Sequence, residues 1–66
     1  MFHAGKALSA VMEKKKIHRN TLGDELNVAP NQINRWKNSK DLKLSIVIKI
    51  CAIAKISVGQ FINLGK

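Results

Sequence analysis

The chain has few of the residues that stabilise very small proteins by covalent or metal staples. Cysteine occurs once, at Cys51, so no disulfide can form within the 66 residues, and the missing framework suits a reducing, cytoplasmic setting. A core this small is marginal unless helices pack closely or the chain self-associates. Proline occurs once and glycine four times, which leaves no material for an interdomain linker and predicts one domain over residues 1–66 with short connections. Tyrosine is absent, and Phe2, Trp36 and Phe61 are the only aromatics, few for a protein that stacks unpaired RNA bases. Only four residues are acidic. They make no catalytic carboxylate dyad, and no nucleophile stands with a base. His3, His18 and Cys51 lack metal-ligand spacing. No enzyme activity, cofactor, metal or small-molecule ligand is expected.

Long apolar runs are missing too. Met1–Val11 holds no stretch of the roughly 7–15 apolar residues a signal peptide needs. Leu44–Ile56 is interrupted by Ser45, Lys49 and Lys55 and is too short to cross a bilayer. A soluble chain with no membrane partner is expected.

Positive charge is what the chain has in excess. Twelve Lys and Arg against four Asp and Glu give a net charge of +8 on 7.3 kDa. Such an imbalance works against compaction and points to a polyanion or an anionic surface as partner.

Periodicity predicts helices throughout. Ala4, Leu8, Val11 and Met12 form a helical stripe over Ala4–Lys16, and Lys14, Lys15 and Lys16 complement the negative end of that helix. A second helix covers Arg19–Leu26, with His18, Asn20 or Thr21 as its cap. Gly23 inside it costs about 1 kcal/mol against Ala, which close approach of the following element would offset. Asn27 suits a left-handed helix end, and Val28 plugs the turn. The third helix, Pro30–Asn38, has proline at its first position and turns Ile33 and Trp36 inward. Ser39–Lys43 is a basic loop. Leu44–Ala54 is β-branched enough to suggest a strand, but its length and lack of turn signals favour a helix. Val58–Leu64 completes the set, capped by Ser57 and ended by Gly65. Cys51, within the apolar run, reads as a small buried hydrophobe rather than a redox group.

The segment Thr21–Trp36, TLGDELNVAPNQINRW, is the most specific feature. Two short helices meet at a three-residue joint, and the second carries Asn31, Gln32, Asn34 and Arg35 on its outer face. A tight helix pair whose second member is lined with amides and a guanidinium is what reading DNA in the major groove requires. A plainly solvated polar face is the alternative.

Ile17, Leu22, Gly23, Leu26, Asn27, Val28, Ala29, Ile33, Arg35 and Trp36, continued by Leu44, Val47, Ile50, Cys51, Ala54, Ile56 and Ser57, resemble the lambda-type Cro and repressor family. The resemblance covers nearly the whole chain through a degenerate motif. It implies an all-α, five-helix lambda-repressor-like fold with helices 2 and 3 as the helix-turn-helix. It also implies a double-stranded DNA operator as partner, in a bacterial or phage-infected cell. Family base-reading positions fall on Ala29, Pro30, Asn31 and Arg35, with Gln32 flanking. Asn31 suits adenine and Arg35 suits guanine. Pro30 has no donor and offers at most apolar contact to a thymine methyl. Phosphate contacts are expected at Arg19, Asn20, Thr21, Asn34, Lys37, Asn38, Lys40 and Lys43.

Departures from the family pattern are informative. Arg19 replaces a frequent Gln. Lys37, Asn38 and Ser39 replace a frequent Glu-x-Gly, and Met12 replaces the Arg that often pairs with that Glu. Met12 is therefore expected to pack, Lys37 to face the DNA backbone, and Asn38 to adopt the left-handed conformation in place of glycine.

On the fourth helix, Leu44, Val47, Ile50, Cys51 and Ala54 suffice for the inward face. Ile46, Ile53, Val58 and Ile62 are left as a candidate homodimer surface, unless the fifth helix wraps to bury them. The function expected is a Cro-type repressor binding an inverted repeat as a dimer. An antitoxin or restriction–modification controller of the same fold is the alternative, and a cationic RNA- or membrane-binding protein is the alternative of another class.

Overall fold

Caps and breakers divide residues 2–66 into five helices. In the computed structural model, which describes residues 2–66, these are α1 Ala4–Lys15, α2 Arg19–Leu26, α3 Pro30–Lys37, α4 Leu44–Ala54 and α5 Val58–Leu64. No strand occurs among the described residues, and the β-branched segment Leu44–Ala54 is helical. α1 is the hub, packing on α3, α4 and α5, while α2 lies against α3 and α4.

Every helix contributes to one core. Leu8 and Val11 of α1, Leu22 of α2, Ile33 of α3, Ile50 of α4 and Phe61 of α5 are all at most 1% exposed. Burying such side chains stabilises by about 1.5–3 kcal/mol each relative to exposure. Met12 is buried in this core, as expected of a residue freed from ion pairing. Cys51 is also buried, and desolvation raises its thiol pKa, disfavouring the reactive thiolate. Ile17, Leu26, Val28 and Trp36 are half-buried against the same cluster.

Three helices end in the same way. Lys16, Asn27 and Lys55 take left-handed conformations, with φ of 55°, 59° and 60°. Each is followed by an apolar residue whose amide turns back into the helix: Ile17 to the Met12 carbonyl at 2.8 Å, Val28 to Gly23 at 2.8 Å and Ile56 to Cys51 at 3.0 Å. Ile17, Val28 and Ile56 then pack on the core. This helix-ending motif satisfies late carbonyls and reverses the chain within a few residues, which is why the connections are so short.

Side chains cap the starts of α2 and α5. His18 is the cap of α2, its Nδ1 accepting the Asn20 amide at 3.1 Å, and Asn20 and Thr21 lie inside the helix. Ser57 caps α5 through a reciprocal pair: its Oγ accepts the Gln60 amide at 3.1 Å, and its own amide donates to Gln60 Oε1 at 2.9 Å. Gly65 ends α5 with φ −94°, outside the left-handed region.

Two expectations are overturned. Asn38 is not left-handed: its φ is −99°. The chain leaves α3 by a continuing right-handed turn in which the Asn38 and Ser39 amides donate to Arg35 and Trp36, both at 3.1 Å. Leu44 was expected in the core and is 65% exposed. As the first residue of α4, its side chain leans towards the N-terminal end and overhangs the edge of the packed face. Ile46 and Ile53 take up the packing instead.

Candidate nucleic-acid interface

The hydrophobic core sets which side of α3 faces out. Ile33 is fully buried and Trp36 half-buried, so the helix is fixed in rotation by one edge. Asn31 and Arg35, one helical turn apart, are both exposed on the opposite side. Ala29 and Pro30 are exposed at its start, and Gln32 and Asn34 are half-buried on its flanks. Pro30 occupies the first turn, where a missing amide hydrogen costs nothing. No side chain caps this helix end.

α2 and the intervening turn hold α3 in place. Gly23 is where they touch: a Cβ there would lie 2.8 Å from the Val28 carbonyl oxygen and 3.6 Å from the Pro30 nitrogen. The crowding comes from the backbone of the turn itself and not from side chains of the crossing helix.

The expected phosphate-contacting residues fall into two groups. Arg19, Asn34 and Lys37 line one open concavity between α1, α2 and α3, with His18 beside them and Glu13 on its border. His18 and Arg19 place the start of α2 on its border, so the positive end of that helix lies beside the two cations. Asn20 and Thr21 are exposed on the same first turn of α2. Lys40 and Lys43 form the second group, exposed on the loop that follows α3. Asn38 is exposed, but its side-chain amide donates to the Asn34 backbone carbonyl at 3.1 Å, so it also braces the end of α3.

The expected homodimer residues do not form one exposed face. Ile46, Ile53 and Val58 are half-buried and pack on the chain's own core, whereas Ile62 is 40% exposed. The large apolar residues with greatest exposure on α4 are Leu44 and Ile48, at 65% and 51%. Sequence periodicity had not singled out Ile48. Periodicity marks Ala4 as part of the α1 stripe but gives no sign that the Ala4 and Gly5 amides donate to the Lys40 and Ser39 carbonyls, at 2.9 and 2.8 Å.

Among the described residues, no group of three or more His, Cys, Asp or Glu could hold a metal ion, and no single helix is long and apolar enough to cross a membrane.

Two short helices locked at a tight turn, with the second presenting amide and guanidinium groups outward, define a helix-turn-helix DNA-binding domain. The family model of the Cro/C1-type HTH DNA-binding domain matches residues 7–66, and the chain belongs to that family. Comparison with curated proteins and with solved structures returned no match. Membership of this family makes the chain a DNA-binding transcription regulator, and the family is typically non-enzymatic.

Proposed function

We propose that this protein is a Cro-type repressor that reads a short inverted repeat as a homodimer, with α3 in the major groove. The carrying observation is the pairing of a fully buried Ile33 with exposed Asn31 and Arg35 on the opposite side of the same helix. Asn31 can bond adenine N6 and N7, and Arg35 can grip guanine O6 and N7. Each pair contributes roughly 1–3 kcal/mol of discrimination. Ala29, Pro30 and Gln32 border that contact. Arg19, Asn20, Thr21, Asn34, Lys37, Asn38, Lys40 and Lys43 anchor the backbone on both sides, which sets affinity and its salt dependence without choosing sequence. The net charge of +8 agrees with a backbone-dominated grip. Occlusion of a promoter is the simplest repression such a domain performs. A toxin–antitoxin or restriction–modification controller would use the same contacts on its own operator.

Selection of bound sites from random duplexes tests this reading. The expected outcome is two inverted half-sites whose centres lie about 10–10.5 bp apart. Arg35→Ala is expected to relax preference at one base pair in each half-site. Recovery of no motif, or an Arg35→Ala preference identical to wild type, overturns the assignment.

A further inference from the structure

The start of α1 is joined to the exit of the recognition helix by a tie that no side chain supplies. The first amides of a helix have no partner within it. In α1 the side chain of His3 takes the Lys6 amide at 3.0 Å, while the Ala4 and Gly5 amides reach outside the helix to Lys40 and Ser39. Those two carbonyls belong to the loop that carries Lys40 and Lys43. The positive end of α1 therefore faces the run of carbonyls at the end of α3, a favourable head-to-tail arrangement.

The residue type at position 5 permits this approach. A Cβ on Gly5 would lie 2.6 Å from the Ser39 carbonyl oxygen and would also collide with the Lys37 carbonyl. Both obstacles are backbone and cannot swing aside. On its other side, the N-terminal segment is fastened to α5: the His3 amide donates to the Gly65 carbonyl at 2.9 Å, and Phe2 packs edge-on against Phe61 with ring centroids 6.2 Å apart. Phe2–Gly5 thus bridges the end of α5 and the basic loop.

We infer that Phe2–Gly5 is a strap that positions the loop Ser39–Lys43 for the DNA backbone, with Gly5 as the positioning residue. This rests on the reading of Lys40 and Lys43 as phosphate contacts. Gly5 touches no DNA and acts through the carbonyls it holds.

Duplex binding measured over a range of salt concentrations, in a thermodynamic cycle, tests the strap. Removing two phosphate contacts in the Lys40→Ala, Lys43→Ala protein should reduce the salt slope by about 1.8. Gly5→Ala alone is expected to reduce it by roughly 1–2 and to lower affinity on the order of tenfold at 0.1 M salt. It should leave the selected base preference intact, because Asn31 and Arg35 are untouched. Added to the double lysine variant, Gly5→Ala should have a smaller effect than on its own, limited to what passes through the Lys37 carbonyl. Gly59→Ala, where an added Cβ meets only Ser57 Oγ at 3.8 Å, is the control and should bind as wild type does. A folded Gly5→Ala protein with an unchanged slope, or an equal loss in both backgrounds, overturns the strap.

If Gly5→Ala does not fold, amide exchange in the wild-type chain decides. The Ala4 and Gly5 amides should be protected in the free protein and more protected on duplex; unprotected exchange in the free protein, or protection that duplex leaves unchanged, overturns the proposal. Absence of salt-dependent duplex binding by wild type would remove the proposed function while leaving that free-state protection in place, so the two failures are distinguishable.

Discussion

Gly23 and Val28 hold each other across the joint of the helix-turn-helix. The Val28 amide donates to the Gly23 carbonyl at 2.8 Å, and the Val28 carbonyl oxygen occupies the space 2.8 Å from where a Gly23 side chain would begin. Alanine at position 23 gains about 1 kcal/mol of helix propensity but must displace that carbonyl by several tenths of an ångström. The obstacle is backbone, so its displacement outweighs that gain, and Gly23→Ala is expected to lose about 1 kcal/mol. Gly23→Val adds two methyl groups against the same backbone and should lose about 1–3 kcal/mol, as overpacking does. Urea unfolding of both variants checks the graded response. Equal stabilities would show that the turn yields freely.

His18 stabilises α2 through a single acceptor nitrogen at the edge of the basic concavity. Replacing it with alanine removes the cap and should cost about 0.5–2 kcal/mol. Asparagine, a stronger cap, should restore or exceed wild-type stability. Thermal melts of His18→Ala and His18→Asn measure this. If both variants lose the same stability, the ring matters for packing and the cap assignment is wrong.

Lys16 and Lys55 hold left-handed conformations that glycine adopts without a Cβ penalty. A side chain there costs roughly 1–2 kcal/mol per residue, partly offset by glycine's greater freedom when unfolded. Lys16→Gly and Lys55→Gly are each expected to raise stability by about 0.5–1 kcal/mol, a Tm rise of roughly 2–8 °C in a domain of this size. Neither lysine is on the proposed interface, so the selected base preference should not change. A lowered Tm in both variants would contradict the backbone argument.

What could be read from the residues depended on whether the signal was local. Pro30 and Ser57 marked helix starts, and Asn27 marked a helix end, because each acts through its own backbone or a neighbour three residues away. Lys16 and Lys55 gave no such sign. The informative residues were the isoleucines that follow them, and these needed the core to be visible. Leu44 misled because its spacing fits the inward face while its place at the helix end does not. The outward face of α3 was legible from Ile33 and Trp36, a local period. The tie from Ala4 and Gly5 to Ser39 and Lys40 was not, since it joins backbone groups 36 and 34 residues apart, which side-chain patterns do not encode.

Dimerisation on the operator would fall to the apolar residues that the core does not use. Ile62 on α5 is exposed, whereas Ile46 and Ile53 already pack within their own chain. Ile62→Lys should therefore leave the fold within about 0.5 kcal/mol of wild type, as surface changes do. It should also bring affinity for a duplex with two half-sites down towards that for one, through lost pairing and added like charge. Ile46→Ala and Ile53→Ala should do the reverse, losing about 1–3 kcal/mol of stability, less than a fully buried isoleucine would, while the ratio of two-site to one-site affinity is kept. Equilibrium unfolding and titrations against one- and two-half-site duplexes separate these effects. If Ile62→Lys leaves the affinity ratio unchanged, the pairing surface lies elsewhere, and the Leu44–Ile48 edge of α4 is the next exposed apolar surface to substitute.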